Sequence, residues 1–125
     1  MTLLDTSILI DSLSGPRRSA ASLRAAIEQG ERILIPSLVL YEWLRGPRLP
    51  LEIALQEALF PADQAIAFGH REALLSADLY RSLKRARGRE IDLGIAACAI
   101  VRDAGLWTLN TADFRDIPQL RLAAF

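Results

Sequence analysis

The chain has 125 residues, 51 % of them apolar, and 15 acidic and 15 basic side chains that balance to a formal net charge of zero. That is enough apolar material for one core, so a single domain spanning 1–125 is expected. Balanced charge excludes bulk attraction to a polyanion, and any nucleic-acid partner has to be argued from local charge. The single cysteine, Cys98, excludes an internal disulfide; within the apolar run Ile95 to Ile100 it reads as a small buried thiol, consistent with a reducing cytoplasm. No apolar run approaches the roughly 18 residues of a membrane span, and Met1-Thr2-Leu3-Leu4 lacks a basic leader pattern, so a soluble, unprocessed chain is expected.

In chain order, Leu3-Leu4 ends a short buried strand, and the Thr6-Ser7 hydroxyls are placed to cap a helix through Ile8, Leu9, Ile10 and Leu13. Gly15-Pro16 stops it. Ala20, Leu23, Ala26 and Ile27 recur at helical spacing between Ser19 and Gln29, and Gly30 closes that helix. Ile33-Leu34-Ile35 is a second buried strand, followed after Pro36-Ser37 by a helix from Leu38 to Arg45 and a shorter one from Leu51 to Leu59. A long helix is predicted from Gln64 to Arg87, ended by Gly88. Asp92 then opens a nearly all-apolar, central helix over Leu93 to Ala104, and Gly105 turns into the strand Leu106 to Leu109. A last weak strand lies at Leu120 to Leu122. Short apolar strands alternating with helices predict a parallel sheet with helices on both faces, with its site at the carboxyl ends of the strands.

Four acids stand in apolar company, where an ionised carboxylate is costly unless it is paired or holds a metal. Asp5 lies between Leu3-Leu4 and Ile8-Leu9-Ile10, and Glu42 interrupts Leu38 to Leu44. Asp92 heads the most apolar helix, and Asp113 follows the third strand. Taken singly, Asp5 and Asp92 are explained as helix caps, Asp113 as a turn residue and Glu42 as one exposed stripe. Their joint placement near strand ends and helix starts favours one crevice. Carboxylates without histidine or cysteine neighbours select a hard cation, Mg²⁺ or Mn²⁺, suited to in-line attack on a phosphodiester. His70 is isolated, Cys98 has no partner for thiol chemistry, and no glycine-rich phosphate loop is present.

Leu4-Asp5-Thr6-Ser7-Ile8-Leu9-Ile10-Asp11, Glu42 after Pro36-Ser37, Asp92-Leu93-Gly94-Ile95-Ala96-Ala97 and Thr108-Leu109-Asn110-Thr111-Ala112-Asp113-Phe114 resemble, in order, the successive motifs of VapC-type PIN-domain toxins. The resemblance covers essentially the whole chain. It implies a three-layer α/β/α fold with a parallel sheet of four to five short strands, and a Mg²⁺- or Mn²⁺-dependent endoribonuclease. It further implies the toxin half of a toxin–antitoxin pair, a homodimer bound to its antitoxin. Carried over by position, Asp5, Glu42, Asp92 and Asp113 are the metal-binding and catalytic quartet. Thr6 supports the first aspartate, Thr108 and Asn110 orient the last acid and the phosphate, and Glu90 is a possible accessory acid.

Arg81, Lys84, Arg85, Arg87 and Arg89 cluster just before Asp92, with a second group at Arg17, Arg18 and Arg24; the first set could hold an RNA backbone beside an acidic cleft. A basic helix end or solvated face explains them equally well. Tyr41, Trp43 and Leu44 are candidates for an antitoxin groove, with a core role as the alternative. A phosphatase reading fails because Ser7 stands where a second aspartate is needed, and a receiver-domain reading because the only lysine, Lys84, lies within a predicted helix. Two readings stay open beside the ribonuclease: a PIN-fold metal-binding module acting without catalysis, and a DNA-directed nuclease.

Overall fold

The computed structural model describes every residue from Met1 to Phe125. Its four strands, β1 (Thr2–Leu4), β2 (Ile33–Leu34), β3 (Gly105–Trp107) and β4 (Arg121–Ala123), pair in parallel in the order β2-β1-β3-β4. Six helices accompany them: α1 (Thr6–Leu13), α2 (Ala20–Glu28), α3 (Ser37–Arg45), α4 (Pro50–Leu59), α5 (His70–Ser82) and α6 (Glu90–Val101). β1 is buried along its whole length, which is why Thr2-Leu3-Leu4 does not alternate polar and apolar. None of the helices is long and apolar enough to cross a membrane.

The strand order fixes where a site can form. From β1 the chain crosses to β2 on one side, and from β3 it crosses to β4 on the other. Because β2 and β3 flank β1, two right-handed crossovers carry helices over opposite faces of the sheet. The connections leaving β1 and β3 diverge, opening a crevice beyond their carboxyl ends, between Asp5 and Thr108. The Asp5 amide donates to the Trp107 carbonyl at 2.9 Å, tying the two ends together.

The central helix is α6, whose residues Leu93 to Ala99 are all buried. Small side chains let neighbours come close. A Cβ on Gly94 would lie 2.6 Å from Leu38 Cδ1 and 3.2 Å from Phe68 Cε2, so α3 seats directly against α6. That contact is two residues from Asp92 and one helical turn from Glu42.

Three expectations are corrected. The helix predicted over Gln64 to Arg87 is instead a 3₁₀ turn (Ala62–Gln64), an extended stretch and α5, followed by a loop. Ile66 is extended because its amide donates to Ile35 O (2.9 Å) and its carbonyl accepts from Ser37 N (2.7 Å), a pairing that helical periodicity does not announce. α5 starts where the Glu72 carboxylate accepts from the Gly69 amide at 2.9 Å, and it ends at Ser82, so Gly88 (φ +83) turns a loop and does not close a helix. The second correction concerns Thr6 and Ser7, which lie inside α1; the capping position belongs to Asp5. The third is Trp43, which is fully buried, with the Arg48 guanidinium stacked 4.2 Å from its ring centroid. It is core, and only Tyr41 and Leu44 beside it are exposed.

Trp43→Ala should lower the unfolding free energy by about 3–5 kcal/mol, the usual cost of emptying a buried indole site. Urea denaturation measures it, and an unchanged midpoint would contradict the core assignment.

Candidate active site

Asp5 follows β1 directly, in extended conformation (φ −75°, ψ 158°) at the cap position of α1. Its backbone carbonyl serves the helix, accepting from Ile8 N and Leu9 N, while its carboxylate makes no capping bond. Capping therefore does not explain the acid. The side chain is 4 % exposed and forms no ion pair; its partners are two hydroxyls, Ser7 Oγ at 2.9 Å and Thr108 Oγ1 at 2.7 Å, both donating to Oδ2. Both hydroxyls are themselves held, Ser7 Oγ accepting from Leu109 N (3.0 Å) and Thr108 Oγ1 from Asn110 N (2.9 Å). Oδ1 is thereby left for the crevice.

Glu42 projects from α3, its carboxylate engaged from two sides. Thr6 Oγ1 donates to Oε1 at 2.6 Å, and Arg45 Nη2 donates to Oε2 at 3.3 Å. Thr6 thus supports Glu42, whereas the resemblance had assigned it to the first aspartate. The reason is its place in the first turn of α1, which packs on α3.

Asp92 lies in the first turn of α6, three residues after the capping residue Arg89, so it is not the cap either. Burial, and then the negative charges of Asp5, Glu42 and Asp113, push its carboxyl up to about 6, with Arg89 pulling the other way. Negative charges from three other segments are thus felt at one carboxyl. Asp113 is exposed at the end of the 3₁₀ turn Thr111–Asp113, next to Asn110, whose amide rather than side chain makes the observed bond to Thr108. The four carboxylates do not close into a ready-made group of three or more metal-holding residues. Asp5 Oδ2 and both Glu42 oxygens are instead held by neighbouring side chains. In donor chemistry the set is all oxygen, anionic and short of cations, which fits a hard divalent ion.

The basic residues divide. Lys84, Arg85 and Arg87 are exposed on the loop before α6, and Arg81 is exposed but paired with Asp78. Arg89 is turned inward, bonded to Asp116 and to the Asp113 carbonyl. Glu90 is exposed and accepts weakly from Gly88 N at 3.3 Å. Ser7, Arg45 and Asp116 were missed by sequence reasoning. Ser7, two residues after Asp5, had a visible signal in its position on the first helical turn; Asp116, which contacts Arg89 27 residues away in sequence, had none.

The sequence pattern of the PIN domain family matches residues 2–120. The chain belongs to the PIN domain family. It is 38 % identical over 124 residues to Ribonuclease VapC19 of Mycobacterium tuberculosis, covering 97 % of this chain and 98 % of that protein. Among solved structures, a chain of DNA-bound VapBC from Salmonella typhimurium superposes with a TM-score of 0.80 at 21 % identity, covering 98 % and 96 % of the two chains. A chain of a toxin–antitoxin complex from Klebsiella pneumoniae gives 0.75 at 29 % identity, with 96 % and 95 % covered.

A raised carboxyl has a definite pH signature. Asp92 binds its proton more tightly in the folded PIN domain than in the unfolded chain, so its contribution falls as pH rises from about 4 to 6 and is level on either side. In chelator, Asp92→Asn should therefore be more stable than the parent above pH 6, by on the order of 3 kcal/mol at most, and equal to it near pH 4. Melting curves of both proteins across that range test it; a constant difference at all pH values would contradict the raised carboxyl.

Proposed function

We propose that this PIN domain is a Mg²⁺- or Mn²⁺-dependent endoribonuclease, acting in the cytoplasm as the toxin of a toxin–antitoxin pair and as a homodimer. The observation that carries the reading is Asp5: a buried carboxylate without a cation, at the crevice between β1 and β3, within the electrostatic reach of Asp92. In this reading Asp5, Glu42, Asp92 and Asp113 hold the ion. Bound there, a divalent cation neutralises phosphoryl oxygens and lowers the pKa of an attacking water. Ser7 and Thr108 fix the Asp5 carboxylate by its Oδ2, leaving Oδ1 for the ion, Thr6 fixes Glu42, and the backbone amide of Asn110 holds Thr108 Oγ1. Lys84, Arg85 and Arg87, on the loop leading to Asp92, offset the charge of the acids for an approaching RNA backbone.

The antitoxin is assigned a different surface from the one expected around Trp43. An apolar groove of about 400 Å³ runs between α1, α2 and α4, lined by Leu13, Leu23, Ile27, Leu55 and Leu59, with Arg17, Arg24 and Glu28 also contributing. Solved relatives of this fold are toxin–antitoxin complexes, and an apolar helix face or extended segment suits such a groove. This also gives the Arg17 and Arg24 group a place beside a partner, away from the acids.

Cleavage of single-stranded RNA should require Mg²⁺ or Mn²⁺, stop with chelator, and leave 5′-phosphate ends, because water and not the ribose 2′-hydroxyl attacks. End-group analysis of the fragments decides it: 2′,3′-cyclic phosphates, or cleavage undiminished in chelator, would overturn the reading. For the partner, Ile27→Glu should weaken antitoxin binding at least tenfold while Tyr41→Ala changes it little. Titration calorimetry with the purified antitoxin provides the comparison, and the reverse ranking would return the groove to α3.

A further inference from the structure

Arg89 caps α6 and its side chain is only 19 % exposed, unlike Lys84, Arg85 and Arg87 before it. Both of its terminal nitrogens are fully committed. Nη1 donates to Asp116 Oδ2 (2.9 Å) and to the Arg85 carbonyl (2.8 Å), while Nη2 donates to Asp116 Oδ1 (2.7 Å) and to the Asp113 carbonyl (2.6 Å). One side chain therefore joins three segments: the start of α6, which carries Asp92; the loop before it; and the turn from Thr111 to Asp116, which carries Asp113.

That turn is anchored to the core at its far end by Phe114, which is buried, but the stretch that carries Asp113 is three exposed residues of 3₁₀ helix, and such short pieces do not fix their own orientation. A planar fork bonded bidentately to a carboxylate is the strongest and most directional hold that a basic side chain offers.

We propose that Arg89 is a positioning residue of the acidic centre: it clamps the 111–116 turn onto the start of α6, setting Asp113 against Asp92, and does not grip RNA. The proposal rests on the nuclease reading given above. It names Asp116, which lies outside the quartet, as the other half of the clamp. It also separates Arg89 from its basic neighbours, whose forks and ammonium remain open to phosphate.

The clamp and the RNA grip predict opposite effects at Asp116. If Arg89 clamps, Asp116→Asn releases the turn and impairs the centre. If Arg89 grips RNA, the same change frees the guanidinium and tightens substrate binding. The experiment uses the full chain and its Arg89→Gln, Arg89→Lys, Asp116→Asn and Arg89→Gln/Asp116→Asn variants. Mn²⁺ affinity is measured by calorimetry without RNA, and kcat and KM on a fluorogenic single-stranded RNA at several salt concentrations.

The clamp predicts about tenfold weaker Mn²⁺ binding in Arg89→Gln and in Asp116→Asn, as for other groups that orient metal ligands. It also predicts a lowered kcat, a KM within twofold of the parent, and a double variant no worse than Arg89→Gln alone. Arg89→Lys, which keeps the charge but loses the fork, should remain impaired. Unchanged Mn²⁺ affinity in Asp116→Asn, or a raised KM with a flatter salt dependence in Arg89→Gln, would overturn the proposal, as would full activity in Arg89→Lys. A parent chain that binds Mn²⁺ but cuts no RNA would count against the nuclease reading alone, and the affinity measurements would still decide the clamp.

Discussion

Asp5 is the constraint around which this molecule is arranged: a carboxylate held out of water with only hydroxyl donors on it. Burying such a charge is unfavourable by several kcal/mol unless something compensates it, and two hydroxyl bonds are modest compensation. The fold nevertheless places it at the start of α1, buttressed by Ser7 and Thr108 and by the Asp5–Trp107 backbone bond. Around it stand further carboxylates, with Arg45 against Glu42 and Arg89 near Asp92 but no cation on Asp5 itself. Burial, and then the charges of these carboxylates, push the Asp92 carboxyl up to about 6. An arrangement that gathers repulsion at one crevice makes physical sense when a cation completes it, which is the basis of the function proposed here.

The sheet order makes this possible with very little structure. Strands of two or three residues cannot contribute much stability by themselves, and the burial of α6 and its contact with α3 through Gly94 hold the layers together. The same contact lies two residues from Asp92 and one helical turn from Glu42. Stability and site geometry are therefore coupled: substitutions that widen the α3–α6 approach would be felt at the acids, even where no polar group is touched.

Much of this was legible in the residues. The short apolar runs Leu3-Leu4, Ile33 to Ile35 and Leu106-Trp107 and the continuous apolar run of α6 were visible as buried elements because both faces of a parallel sheet and all sides of a central helix are covered. The four acids stood out as charges breaking apolar stretches. What escaped notice depended on partners distant in sequence. Ile66 is extended because it pairs with the Ile35–Ser37 segment, and that pairing overrides the helical periodicity from Gln64 onward. Trp43, beside the exposed Tyr41 and Leu44, occupies the buried face of a helix whose exposed face is also aromatic and apolar, so composition could not rank them. Arg89 looked like its basic neighbours until Asp116 was placed against it. The bland explanations of Asp5 and Asp92 as caps also needed the structure to remove them, since each stands at or near a helix start without serving it by a side-chain bond.

The proposed chemistry requires that these acids share an ion. Anomalous diffraction from crystals grown with Mn²⁺ measures that directly, because the metal's scattering marks its position independently of any activity. The predicted result is a peak in the crevice beyond β1 and β3, within about 2.0–2.3 Å of Asp5 Oδ1 and of an Asp92 oxygen. A peak elsewhere on the surface, or none at Mn²⁺ concentrations that support RNA cleavage, would contradict it.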